Sequence, residues 1–338
     1  MSVPTTEIVS ARLPRPRGPL SEAVIAALGA PPPATGLPAP GEVGAEPFGE
    51  DLALALHTCY ELHYRGFEGV SAEWEWNGGL LDWRASLEHL FRTALRDNVA
   101  GGEDVDAELA GLLTETVPGD GVAQHLRDHG SWEQLREYFV HRSIYHLKEA
   151  DPHAWVIPRL QGQAKAALVA VEYDEFGGGR GEDVHAKLFA DLLDAAELES
   201  GYLHYLDVVP APQLAIVNLM SMLGLHRGLR GALVGHFSAA EISTAPSAQR
   251  LANALERFGA PAACIRFFTE HIEADAVHEQ IMRHDVIGDL LRREPHLARD
   301  VVFGIQATEL LEGALTELLL GSWRKGSSSL LRPLAQPG

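Results

Sequence analysis

The sequence predicts an all-α protein in which a bundle of helices surrounds a core. Apolar residues recur at the three- and four-residue steps of a helix, as in LLDWRASLEHLFRTAL at 80–95. Alternating apolar and polar runs joined by hairpin turns, which would indicate strands, are essentially missing. Hydrophobic residues make up 46% of the 338 residues, which is enough for a sizeable core.

Composition divides the chain into three parts. Residues 1–48 are rich in Pro, Gly and Ala and predict a mostly extended or disordered arm with a short helix at 21–28. Residues 49–325 predict a single all-α domain, and residues 326–338 a frayed tail. Helical segments are predicted at 51–67, 80–95, 106–114, 121–128, 132–149, 151–176 with a bend at Pro158, 182–199, 212–223, 227–237, 246–258, 260–282 and 295–320.

The charge balance excludes some classes of partner. The chain has 27 basic and 47 acidic residues, a net charge of −20, so we expect no binding to nucleic acid or to an anionic membrane surface. No run of 18 apolar residues occurs, and the N-terminus lacks the apolar core of a signal peptide. The 2 cysteines form no disulfide framework. These features predict a cytoplasmic protein.

Residues 264–282, CIRFFTEHIEADAVHEQIM, contain the pattern H-x3-D-x2-H at His271, Asp275 and His278. Steps of four and seven residues place the three side chains on one stripe of a helix. Buried polar groups must be paired, hydrogen-bonded or bound to a metal. Two interpretations follow: a core helix whose polar groups hydrogen-bond one another, or a site for iron, manganese or zinc.

Two further segments carry residues of the same types. In VEYDEFGGGRGEDVHAKLF, Glu175 ends one predicted helix and His185 begins the next, ten residues later. The glycines between them permit a tight reversal that turns both side chains inward. Glu172 lies one turn before Glu175 and is the rival ligand. In HRSIYHLKEADPHAW, Glu149 lies at a helix end.

In the order, spacing and type of these residues, the sequence resembles the haem-oxygenase-like diiron oxidases and oxygenases over residues 50–320. The resemblance implies the helical bundle of that family and a centre of two Fe(II) ions, with Glu175 as a bridging carboxylate. The ligands that it implies are Glu149, Glu175, His185, His271, Asp275 and His278.

The resemblance also implies an oxidoreductase that uses O2 as co-substrate on a small molecule. The favoured reaction is N-oxygenation of an amino group of an amino acid or related amine in a biosynthetic pathway. Aliphatic desaturation or oxidative C–C cleavage is the alternative. A non-catalytic metal-binding protein, a haem protein of the same fold and a zinc hydrolase are further alternatives.

The sequence also suggests partners, a substrate contact and residues that surround the metal ligands. An external ferredoxin or flavin reductase is expected if the substrate supplies too few electrons, and a homodimer is the default expectation. An amino-acid substrate would need an Arg for its carboxylate, whereas a fatty substrate would need an apolar tunnel. Candidates for this Arg are Arg142, Arg159 and Arg180. Residues that could orient the ligands are Tyr145, His146, His153, Tyr173 and Arg180.

Overall fold

The structure, a computed structural model, describes residues 11–33, 36–114 and 119–334, without the side chains of residues 273–276. No strand occurs in these ranges, so the prediction of an all-α fold is confirmed. The helices are α1 (Pro19–Leu28), α2 (Glu50–Glu61), α3 (Gly78–Asp97), α4 (Val105–Leu112), α5 (Val122–Asp128), α6 (Trp132–His146), α7 (Asp151–Ala154), α8 (Gly162–Glu175), α9 (His185–Ala195), α10 (Ala211–Leu225), α11 (Arg230–Phe258), α12 (Ala262–Gln280), α13 (Gly288–Arg293) and α14 (Ala298–Arg324). A π-helical turn, Ile281–Ile287, joins α12 to α13.

The bundle is organised around α10, α11 and α14. Nearly every residue of α10 is buried. α11 packs against α14 at Gly235 and Gly304, where an added Cβ would overlap the backbone of the facing helix. The absence of side chains there lets the two backbones approach closely, which fixes α11 as a wall of the interior.

Buried apolar side chains from most helices form a continuous core. Its aromatic members include Trp74, Phe139, Phe237 and Phe267, each almost completely buried. Across the described ranges, none of the helices combines the length and apolar character that crossing a bilayer requires.

Helix α11 is continuous where the sequence predicted two helices, at 227–237 and 246–258. Pro246 lies inside it. Proline lacks the N–H that would bond to the carbonyl four residues earlier and normally breaks or kinks a helix. Ile242 and Ala248 on either side are buried against neighbouring helices. Tertiary packing therefore outweighs the local preference, and the prediction of two helices is wrong here.

At residues 151–176 the reverse occurs. The sequence predicted one helix with a bend, whereas the structure has α7, a 3-10 turn at Ile157–Arg159, and α8. Pro158 disfavours a helical conformation at the residue before it. Gly162 has a φ of 61°, in the left-handed region. The break is therefore complete, and α8 starts in a new direction.

The described part of the N-terminal arm is packed against the bundle. Leu20, Val24 and Leu28 of α1 are buried in the core. Arg17 donates to Glu50 at 2.6 Å, and the Trp74 indole donates to the Ala30 carbonyl at 2.9 Å. The short helix predicted at 21–28 is therefore present as α1, and it buries its apolar face against the bundle; residues 1–10, 34 and 35 lie outside the described ranges.

The C-terminal tail also has buried contacts where fraying was predicted for 326–338. Ser329 is buried, and its backbone N–H donates to Glu137 Oε1 at 2.7 Å. Leu331 N–H donates to the Val208 carbonyl at 2.9 Å. Residues 335–338 lie outside the described ranges.

Candidate metal centre

A glycine corner brings Glu175 and His185 together. Gly177, Gly178 and Gly179 have φ values of 71°, 60° and 83°, which only glycine adopts without strain. The corner is tight, because a Cβ on Gly177 would lie 2.6 Å from the backbone of the chain returning at 183–184. As a result Glu175, at the end of α8, and His185, at the start of α9, are both buried, with Oε2 and Nδ1 2.9 Å apart.

Glu149 approaches the same point from the turn between α6 and α7. Its carboxylate is buried, with Oε2 2.9 Å from His146 Nδ1. Oε1 lies 3.8 Å from His271 Nε2. The helix-end Glu selected by its place in the sequence therefore points into the protein.

His271, on α12, has its ring orientation set by the backbone. Its Nδ1 lies 2.7 Å from the Phe267 carbonyl oxygen, which can only accept. Nδ1 therefore carries the proton, and Nε2 presents its lone pair towards Glu149. This is the arrangement that metal-binding histidines commonly use. One ligand atom from each of Glu149, Glu175, His185 and His271 lies within 4.8 Å of the others.

A second group shares Glu175 with the first. Ligand atoms of Glu175, Glu241 and His278 lie within 4.8 Å of one another, and all three residues are buried. His278 Nδ1 lies 2.9 Å from Glu241 Oε2, and its Nε2 lies 3.2 Å from Asp174 Oδ2. Glu175 therefore occupies the place of a carboxylate shared between two cation positions.

Glu241, on α11, is a residue that the sequence reasoning missed. The available signal was a lone carboxylate at the end of GALVGHFSAAEI, residues 231–242, where nearly all other side chains are small, apolar or uncharged. An isolated acid in such a helix is expensive to bury without a partner. Its spacing to His278 carries no helical meaning, because the two residues lie on different helices.

The remaining predicted residues occupy several environments. The Asp275 side chain lies outside the described residues. Glu172 is buried, but it belongs to neither group in the described part of the chain. Tyr173 is exposed at the glycine corner and donates to the Gly178 carbonyl at 2.5 Å. Arg180 is an exposed partner of Asp183.

The residues present fit a metal centre. Both side-chain oxygens of the buried Glu172, one turn before Glu175, have no hydrogen-bond partner within the described ranges. Burial and the neighbouring carboxylates of Glu175 and Glu241 raise the pKa of Glu172 to about 9, which marks a local excess of negative charge that a cation would offset. Imidazoles with carboxylates are a donor set suited to iron and other transition metals.

A cavity of about 330 Å³ is lined by residues of the centre, including Glu149, Glu241 and His271. Polar side chains contribute to the same wall, among them Arg142 and Glu312, which form two hydrogen bonds of 2.8 and 2.7 Å. Of the three arginines named as candidates for a substrate carboxylate, Arg142 alone lines this cavity. Arg159 instead binds the backbone carbonyl of Leu225 at 2.9 Å.

Comparison with known proteins gives the chain a family and two relatives. Residues 136–313 match the family described as iron-containing redox enzyme. Nitrosourea synthase from Streptomyces achromogenes subsp. streptozoticus is 27% identical over 168 residues, which are 49% of this chain and 35% of that protein. Isocitrate dehydrogenase kinase/phosphatase from Azoarcus sp. (strain BH72) is 30% identical over 105 residues, which are 31% of this chain and 16% of that protein. The chain therefore spans only part of either relative.

Proposed function

The chain belongs to the iron-containing redox enzymes, and on that premise we propose that it is a non-haem diiron oxygenase that N-oxygenates an amino group of a small metabolite. The observation that carries the proposal is the convergence of two buried His–carboxylate groups on Glu175. Glu149, Glu175, His185 and His271 would hold one iron. Glu175, Glu241 and His278, with Asp275, would hold the second.

The reaction type is supported by two observations. The nitrosourea synthase that this chain resembles is named for a product with a nitroso group, in which nitrogen is bonded to oxygen. The cavity beside the centre contains an ion pair and several hydroxyl groups, which suit a polar amine better than an aliphatic chain. Desaturation and C–C cleavage therefore rank below N-oxygenation.

Bound iron would supply the redox chemistry, in which O2 is reduced and oxygen is transferred to substrate. The protein contributes binding, orientation and exclusion of water. His271 Nδ1–H donates to the Phe267 carbonyl, which orients the ring of this ligand and keeps the proton on Nδ1. Asp174 can accept from His278 Nε2 and orient that ring in the same way. An external ferredoxin or flavin reductase and a homodimer remain part of the proposal.

The test is anaerobic loading of the full chain with Fe(II), followed by an iron count and a pulse of O2. We expect about two irons per chain, as in other di-iron carboxylate bundles, and O2 consumption that increases with an amine substrate. Products are identified by mass spectrometry with isotopically labelled O2. No retained iron, or a tightly held zinc without O2 consumption, would favour the carrier or hydrolase alternatives.

A further inference from the structure

The side of α8 that faces away from the bundle is exposed and carries no charge. At helical spacing it presents Gln163, Ala166, Val169, Ala170 and Tyr173, and we call these residues the outer face of α8. Val169 is 40% exposed and Tyr173 is 57% exposed. The solvent side of a surface helix normally carries charged residues, and a contiguous apolar patch there marks a contact with another molecule. The outer face of α8 is therefore a candidate docking surface.

The outer face of α8 lies over the candidate metal centre. Glu172 and Glu175 are on the opposite side of the same helix and are buried. Asp174, beside Tyr173, contacts a residue of the second group, because its Oδ2 lies 3.2 Å from His278 Nε2. A helix with its side chains is about 10–12 Å across, so a protein bound to the outer face would lie roughly that distance from the centre. A single helix separates the centre from this surface.

The N-terminal end of α8 is basic, in a chain whose net charge is −20. Lys165 has no carboxylate partner in the described part of the chain. Arg293 lies against Gly162, the first residue of α8. Arg292 and Arg293 share the single carboxylate of Asp289, at 3.0 and 2.8 Å, and both side chains are more than half exposed. An acidic protein would be attracted to this end of α8 and repelled by most of the remaining surface.

The size of the outer face of α8 favours a transient partner. Residues 163–173 span about 15–17 Å along the helix axis, and one helix face is about 10 Å wide. Stable complexes bury about 800 Å² on each partner, which is several times this area, whereas encounters between electron-transfer proteins bury the least. The surface is therefore small for a second copy of this chain and suits a redox carrier.

Resting on the proposed function, we propose that the outer face of α8 and its basic end dock a small acidic one-electron carrier protein of the ferredoxin type. Two reduced carriers bind in turn and give up one electron each, so two Fe(III) become two Fe(II) and two carriers are oxidised. Lys165 and Arg293 attract the acidic surface of the carrier. The uncharged side chains of the outer face then allow close contact beside the metal centre, because no charge has to be stripped of water.

Isothermal titration calorimetry tests the docking surface. The iron-loaded full chain, in its oxidised state, is titrated with oxidised 2Fe–2S ferredoxin of the plant type, whose potential is low enough to serve as a reductant. We expect a saturable isotherm. In stopped-flow mixing, the reduced ferredoxin should be oxidised by the loaded chain in the ratio of two carriers to each pair of irons. Absence of binding, or binding without electron transfer to the loaded chain, would overturn the proposal.

Two substitutions of Ala170 test the location and the sign of the partner's charge. Ala170 is exposed, and Glu and Lys are both good helix formers, so the fold and the iron count should not change. We expect Ala170→Glu to weaken ferredoxin binding about tenfold or more, because it places a negative charge against an acidic partner. Ala170→Lys should bind at least tenfold more tightly than Ala170→Glu. Unchanged affinity in both variants, or an equal loss in both, would contradict the assignment.

Lys165→Glu tests the basic end, and Lys325→Glu is its matched control. Lys325 is also exposed to solvent, but it follows the end of α14 rather than lying on α8. The two variants make the same change in net charge. We expect the affinity for ferredoxin to fall about five- to tenfold in Lys165→Glu and to stay within twofold of the wild type in Lys325→Glu. Equal losses would show that only the net charge matters and would overturn the docking site.

Two further measurements separate this proposal from its alternatives. Sedimentation equilibrium compares the wild type with Ala170→Glu, and we expect the same mass for both. A change from dimer to monomer would assign the outer face of α8 to a second copy of the chain and overturn the proposal. The iron count identifies a failure of the proposed function, because a chain that retains no iron can still be titrated with ferredoxin and its Ala170 variants compared.

Discussion

Lys148 and Glu149 are adjacent in the sequence and lie in two buried polar clusters of opposite character. Lys148 Nζ donates to Glu61 Oε2 at 2.7 Å, Tyr202 donates to the other oxygen of Glu61, and both charged side chains are fully buried. We call Glu61, Lys148 and Tyr202 the lysine cluster. Glu149, in contrast, belongs to the candidate metal centre, where the groups beside its carboxylate are the imidazoles of His146 and His271.

The difference lies in where the compensating positive charge comes from. The lysine cluster contains its own cation, so its carboxylate is satisfied within the chain. In the described ranges no Lys or Arg pairs with Glu149 or Glu175, although both are buried. Buried carboxylates without a protein cation are expensive, and their close spacing to imidazole nitrogens identifies a place for an external cation.

The largest effect is expected from Glu175→Gln. The substitution removes the carboxylate that belongs to both groups, so bound iron should fall to near zero after anaerobic loading. Helical circular dichroism should persist, because apolar packing holds the fold. Lys148→Met serves as the matched variant of the other cluster and should retain iron. Full iron content in Glu175→Gln would show that the two clusters do not differ in the way described.

His278→Ala should remove only the second group. We expect about half of the iron to remain, held by Glu149, Glu175, His185 and His271, and N-oxygenation activity to be abolished. Asp174→Asn, which alters the partner of His278 Nε2, should keep the full iron capacity but weaken the affinity about 10- to 100-fold. Equal iron loss in both variants, or activity in His278→Ala, would contradict this division.

Lys148→Met should change stability rather than metal content. Leaving Glu61 buried without its cation should lower the free energy of unfolding by about 3–5 kcal/mol, measured by denaturant titration. The double variant Glu61→Gln with Lys148→Met should recover much of this loss, because no lone charge remains. If folded Lys148→Met lost its iron, the lysine cluster would be acting on Glu149 rather than only on stability.

A smaller effect is expected at His141, a buried histidine outside both clusters. Its Nε2 lies 2.8 Å from Ser329 Oγ, and burial lowers its pKa to about 3. The unfolded chain, with a His pKa near 6.5, therefore binds more protons between about pH 6.5 and 3, so stability falls as the pH falls. Between pH 7 and 5 this residue should account for about 2 kcal/mol of the loss.

His141→Gln should reduce that loss. The measurement is the free energy of unfolding of the metal-free chain at pH 7 and pH 5, compared between the wild type and the variant. An identical pH dependence would show that His141 is not the titrating group.

The candidate site was predictable wherever its geometry is local. His271 and His278 share a helix, and Glu175 and His185 flank a glycine corner, so their spacing in the sequence encodes their proximity. Glu241 was not predictable in this way, because only the packing of α11 against α12 brings it to His278.

Prediction of the fold was also limited by contacts between residues that are far apart in the sequence. The all-α class followed from periodicity, and most helices were placed from the pattern alone. The continuity of α11 through Pro246 and the packing of α1 depend on burial against distant parts of the chain. Local propensity cannot report such contacts.

At the glycine corner, sensitivity to substitution does not depend on whether a residue binds metal or substrate. Gly177 binds no metal and touches no substrate, yet any side chain there would collide with the backbone at 183–184 and displace His185 from Glu175. In a saturation mutagenesis library scored for activity, Gly177 should tolerate as few substitutions as a ligand does. Gly181, four residues later, has open space where a Cβ would stand and should accept most residues.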